Sequence, residues 1–107
     1  MWIYLSDAYL SIVAVNGAPH PSDQLLVRAR HKGDIERVWP NAHVEITPKA
    51  DYRYRSFLSR PDVAAAIARA VADIGYPNFK NSVKDPARHE AYLGCWSAMN
   101  SWQRAER

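Results

Sequence analysis

The sequence predicts an α+β domain: an antiparallel sheet of about five strands, two main helices packed on one face, and one short helix between strands. Three observations predict it. From Trp2 to Leu58 the chain is a series of short β-branched and aromatic runs separated by turn signals. From Ser59 onward the apolar residues change to helical spacing, behind start signals at Ser59 and Asp85. The strands alternate apolar and polar residues, as a sheet does when helices cover one face only. A chain of 107 residues is the size of one domain and can bury a core, so residues 1–107 are read as a single domain.

The elements follow in order. "WIYL" and "YLSIVAV" form a hairpin with Ser6-Asp7 in the turn. "NGAPHPSD", Asn16 to Asp23, is a loop, because Asn-Gly and two prolines interrupt any ladder. "QLLVRAR" is a strand with Leu25, Val27 and Ala29 on one face and Leu26, Arg28 and Arg30 on the other. "GDIERVWP" is a short helix that Pro40-Asn41 stops. "HVEIT" is a short strand with Val44 and Ile46 inward, and "DYRYRSFL" is the last strand. Ser59 caps the first long helix, Pro61 sits in its first turn, and Gly75 closes it. Its apolar stripe is Val63, Ile67, Ala70, Val71 and Ile74, and six alanines between residues 64 and 72 allow close packing. "YPNFKNSV" is a connector with room for one helical turn. Asp85-Pro86 starts the last helix, which runs to about Gln103.

"DYRYRSF", Asp51 to Phe57, mixes tyrosines that could stack on bases with arginines that could grip phosphate. Period-two geometry divides it. Tyr52, Tyr54 and Leu58 share one face, expected beneath the helices; Arg53, Arg55 and Phe57 share the other. A base-stacking platform needs aromatics and cations on the same face, which this strand offers only through Phe57. If the "LLVRAR" strand is its neighbour, Arg28, Arg30, Arg53 and Arg55 line one open sheet face, with Glu45 beside them. That face is a candidate anion-binding surface. The competing reading is a solvated face with weak exposed ion pairs.

In the last helix Tyr92, Trp96 and Met99 form the centre of an apolar stripe, expected in the core, with Cys95 and Trp102 to one side and Leu93 to the other. Trp102 lies near the chain end beside Gln103 and Arg104, where a residue frays unless something holds it. It is a candidate anchor for a partner or a homodimer, since tryptophan is enriched at binding hot spots.

Charge and motifs bound the chemistry. Ten arginines and four lysines face eleven acids, a net +3, and residues 28–60 alone carry eight basic residues against four acids. That balance suits nucleic acid or an anionic partner surface and falls short of a dedicated DNA-binding tail. One cysteine, Cys95, allows no disulfide framework within the chain. The apolar start lacks the basic flank of an export signal, and no run is long enough to span a membrane, so a cytoplasmic protein is expected. His20, His31, His43 and His89 have no zinc-type spacing with each other or with Cys95, so no metal is expected. The four glycines are too far apart for a phosphate loop, and no nucleophile elbow appears. Asp34 fits a helix start better than a catalytic role. No catalytic residue and no cofactor is assigned.

Taken together, "LLVRAR", "GDIERVWP", "DYRYR", "YPNFKNSVKD" and the spacing Tyr92–Trp96–Met99 resemble a family of small bacterial and phage proteins without an assigned activity. The resemblance implies a compact intracellular protein of bacterial or mobile-element origin, and it supplies no functional residue. The expected function is a non-enzymatic protein-binding protein, an inhibitor of a host complex in the manner of anti-CRISPR proteins. Its partner would be another protein, such as a nucleic-acid-binding complex. The expected contacts are Arg28, Arg30, Arg53, Arg55 and Phe57 on the sheet face and Trp102 on the last helix. The alternatives are a nucleic-acid binder using the same basic face, and an enzyme whose site is dispersed along the chain.

Overall fold

The computed structural model of the protein describes residues 1–15 and 23–106. Apart from Asp23, the loop expected at Asn16–Asp23 lies outside them, as does His20. The chain divides into two compact units, Met1–Ile74 and Gly75–Arg107.

The first unit is built on a five-stranded sheet: β1 (Trp2–Tyr4), β2 (Tyr9–Ala14), β3 (Gln24–Ala29), β4 (Glu45–Ile46) and β5 (Tyr54–Ser59). Its spatial order is β1-β2-β3-β5-β4, and every neighbouring pair is antiparallel. The α+β class read from the sequence is the class of the structure. The hairpin closes where Leu5 N–H donates to the Ala8 carbonyl at 2.7 Å. Met1 is tied in as well: its ammonium donates to the Ile12 carbonyl, and Ile12 N–H donates back to Met1, each at 2.8 Å.

One face of the sheet carries the core. Leu10, Ile12, Val27 and Ala29 are buried there with Ile35 from α1 (Asp34–Val38) and Val63 from α2 (Arg60–Ala72). Ile3, Leu25, Tyr54 and Leu58 extend the same face, as their register requires. Fully burying Leu10, Val27 and Ile35 contributes about 1.5–3 kcal/mol each. Gly33 enters α1 with φ 92°, a left-handed conformation that glycine adopts without strain. The Asp34 that follows is 1% exposed; its carboxylate accepts from Tyr9 N–H at 2.9 Å and from Arg37 at 2.9 Å, so it ties α1 to β2. Asp34 is therefore a structural clamp between two elements, more than a charge at a helix start.

α2 begins as its sequence indicates: Ser59 accepts from Asp62 N–H at 3.2 Å, and Pro61 stands in the first turn. The packed ridge differs from the expected stripe. Val63 and Ala66 are buried and Ile67 and Ala70 half-buried, a regular i, i+3, i+4, i+7 pattern, whereas Val71 and Ile74 are 62% and 51% exposed. The packed ridge ends at Ala70: Val71 lies off it within the helix, and Ile74 lies past the helix end at Ala72, where Asp73 is the C-cap before Gly75. The expected inward pair on the edge strand is likewise half right. Val44 packs against the core, but β4 is only two residues long and Ile46 is 63% exposed. An edge strand that short presents little ladder to cover.

The second unit holds α3 (Phe79–Ser82) and α4 (Pro86–Arg104). Asn78 caps α3 by accepting from Asn81 N–H at 3.1 Å; Asp85 caps α4 by accepting from Arg88 N–H at 2.8 Å. The Phe79 ring lies nearly parallel on Tyr92, with centroids 5.8 Å apart. Val83 and Tyr92 are the buried residues of this unit.

Candidate functional site

The open face of the sheet gathers most of the candidate arginines. β3 and β5 are neighbours, and Arg28 stands directly opposite Arg55 in register, with Ser11 opposite Arg28 on the other side and Glu45 opposite Arg55. The row across the sheet is therefore Trp2, Ser11, Arg28, Arg55, Glu45. Phe57 shares this face, opposite Leu26, and is 39% exposed.

Tyr52 corrects the sequence reading. It was expected beneath the helices on the strand that carries Arg55. The strand begins only at Tyr54, and residues 51–53 bend. Alternation therefore does not extend back to Tyr52, and its ring lies among the arginines. It is 4% exposed, with the Arg30 guanidinium 4.1 Å and the Arg28 guanidinium 4.5 Å from its centroid. Each contact is a cation–π interaction, stronger for being partly desolvated. Arg55 approaches the same residue from another side, its Nε donating to the Tyr52 carbonyl at 3.4 Å. Arg28 also donates to the Ser11 hydroxyl at 2.8 Å, and Arg30 pairs with the Asp51 carboxylate at 3.0 Å. Arg53 lies in the bend and is exposed; among the described residues no hydrogen bond or ion pair links its side chain to the other three.

The electrostatics follow from this packing. Burial alone would push the Tyr52 phenol up, but hydrogen bonds from Tyr9 and Ser11 and the charges of Arg30 and Arg28 bring it below the ordinary tyrosine value. Tyr9 moves the opposite way, raised by burial and then by its hydrogen bond to Tyr52. Its ring meets Tyr4 at 4.8 Å. The sequence reading missed Tyr9, Ser11 and Tyr52 as members of this cluster. Tyr9 and Ser11 were legible in principle, since they alternate with the core residues Leu10 and Ile12 and so must face the arginine side.

The second region is α4. Tyr92 belongs to a core, as expected, covered by Phe79 and with its hydroxyl accepting from Arg88 at 3.2 Å. Trp96 and Met99 do not: they are 49% and 58% exposed, and Trp102 is 72% exposed. The physical reason is length. α3 is a single turn, whereas α4 has 19 residues, so α3 covers only the beginning of the apolar face. Lys80 lies 4.5 Å from the Trp96 ring, and Trp96, Met99, Asn100, Trp102 and Gln103, with Glu106, border one open surface.

Among the described residues no group of three histidine, cysteine, aspartate or glutamate side chains could hold a metal ion, and no helix is long and apolar enough to cross a membrane. Compared with known proteins, the chain matches no family model, no curated protein and no solved structure.

Proposed function

We propose that the chain is a non-enzymatic protein-binding protein that docks its partner on the C-terminal half of α4, with Trp96, Met99 and Trp102 as the contact ridge. The observation that carries this reading is the exposure of those three side chains, 49%, 58% and 72%, on one helix. Large apolar side chains left in water at i, i+3 and i+6 make an oblique ridge, about 120° across on the helix, of the kind that inserts into a groove on another protein. Two tryptophans supply large contact area with little rotamer entropy to lose, the usual composition of a hot spot. The rim carries both signs of charge: Lys80 stands over Trp96, Arg104 follows Trp102 by two positions, and Glu106 lines the same surface. A partner groove with an apolar floor and a polar edge is the complementary surface. In its sharper form the proposal is an inhibitor that occupies a working groove of a host complex, by analogy with other small single-domain proteins that lack catalytic motifs.

Affinity capture from an extract of cells carrying the gene, with nuclease added, tests this. The bait is used as wild type and as Trp96→Ala/Trp102→Ala. A protein retained at about 0.5 M salt, where exposed charge pairs are screened, and absent from the variant supports the reading. An identical set of proteins on both baits contradicts it.

A further inference from the structure

The sheet face offers a second, independent site. We propose that Arg28 and Arg55 together bind a phosphate group, either free phosphate or the phosphate of a small phosphomonoester, on the open face of the first unit.

The register places the two residues directly opposite each other on β3 and β5. Directly opposed side chains in an antiparallel pair start about 5 Å apart at Cβ, and like charges so placed repel. Among the described residues no carboxylate lies within ion-pair distance of Arg28 or Arg55. Asp51 is already engaged by Arg30, and Asp34 by Arg37. Glu45, the acid opposite Arg55 in register, makes no ion pair with it. Arg28 also has a buried Nε with no hydrogen-bond partner among the described residues. A charged donor left unpaired in a buried position is costly, so the site carries more positive charge than its own residues answer.

The cations are held in place before any ligand arrives. Arg28 is fixed between the Tyr52 ring and the Ser11 hydroxyl, and Arg55 by the Tyr52 carbonyl; both are half-buried. Side chains ordered in advance lose little entropy on binding. Two guanidinium forks from adjacent strands match a dianion with several oxygens better than a carboxylate, which a single fork can satisfy. A nucleic-acid track is a poorer match. Arg30 is neutralised by Asp51, and Glu45 stands at the other end of the row, so the uncompensated charge is about one phosphate wide. After the hydrogen bonds from Tyr9 and Ser11, the charges of Arg30 and Arg28 also hold the Tyr52 phenol below its ordinary value.

The test is an NMR titration of the whole chain that follows the arginine Nε–Hε signals. The probes are inorganic phosphate, adenosine 5′-monophosphate and a short single-stranded DNA, with chloride at matched ionic strength as control. Saturable shifts of the Arg28 and Arg55 signals with phosphate or the monophosphate, and not with chloride, are expected. Arg55→Gln should weaken that response at least about tenfold, as loss of one charge-assisted fork does. Should Arg28→Gln disturb the Tyr52 packing, Arg55→Gln with an unchanged circular dichroism spectrum still decides the matter. Equal saturation by phosphate and monophosphate identifies free phosphate as sufficient; tighter monophosphate binding identifies a phosphoester ligand. Linear shifts equal to those of chloride mean an adventitious ion only and overturn the proposal, as does a response to DNA alone. The site and the α4 ridge are separate residues, so either can fail without the other.

Discussion

Tyr52 is the residue on which the open sheet face is organised. Three arginines meet it, two on its ring and one on its carbonyl, while its phenol accepts from Tyr9 and Ser11. Positive charge and donated hydrogen bonds both favour the phenolate, which gives a signed pH effect. Because its pKa lies below the ordinary value of 10, the folded protein ionises there before the unfolded chain does. In the interval between the two values, stability rises relative to Tyr52→Phe as pH rises, since the unfolded state holds the extra proton. Absorbance titration at tyrosinate wavelengths should show the earliest step vanish in Tyr52→Phe; a step that survives there belongs to another tyrosine and refutes the assignment. Asp34 makes the second prediction at this scale. A 1% exposed carboxylate that holds Tyr9 N–H and Arg37 leaves the Tyr9 donor unmet when removed, while the half-exposed Arg37 keeps the Asp7 carbonyl. Asp34→Ala should cost about 2–4 kcal/mol, read by urea denaturation, and a loss below 0.5 kcal/mol contradicts the clamp role.

At the scale of elements, local signals gave helix starts and long-range packing decided the faces. Ser59 and Asp85 were readable as caps because a cap depends on three or four consecutive residues, and both make the expected bond. Ser59→Ala should lower stability by about 1 kcal/mol, a fall in melting temperature that calorimetry resolves; no change would mean that the cap is redundant. The division of β3 into Leu25, Val27 and Ala29 against Arg28 was readable for the same reason, since period two is local. Three features were not. Tyr52 was placed by counting back along a strand that had already bent. Val71 and Ile74 keep helical spacing but lie beyond the packed ridge. Trp96 and Met99 continue the Tyr92 stripe, and nothing in periodicity tells how far a neighbour of one turn reaches along a helix of 19 residues. Periodicity reports which residues share a face; it does not report whether that face is covered.

For the whole molecule, those limits shape the functional reading. The arginines anticipated as partner contacts prove to be largely engaged: Arg28, Arg30 and Arg55 all serve the packing of Tyr52. The apolar residues anticipated as core are the ones left in water, Trp96 and Met99, with Trp102 continuing the row. The two surfaces also differ in the ligand chemistry they suit. The sheet face of the first unit holds a compact, pre-ordered pair of cations; the second unit holds an apolar ridge with a mixed-charge rim. In our reading the ridge supplies affinity for a protein, and the cation pair a separate capacity for a phosphate group. The most direct test of the central claim is the affinity of the purified partner for three proteins, measured by calorimetry: wild type, Trp96→Ala/Trp102→Ala, and Arg28→Gln/Arg55→Gln. The account predicts that the tryptophan variant loses at least about thirtyfold in affinity, as truncation of hot-spot residues does, while the arginine variant stays within about threefold. Binding that survives the tryptophan variant and collapses with the arginine variant would contradict it.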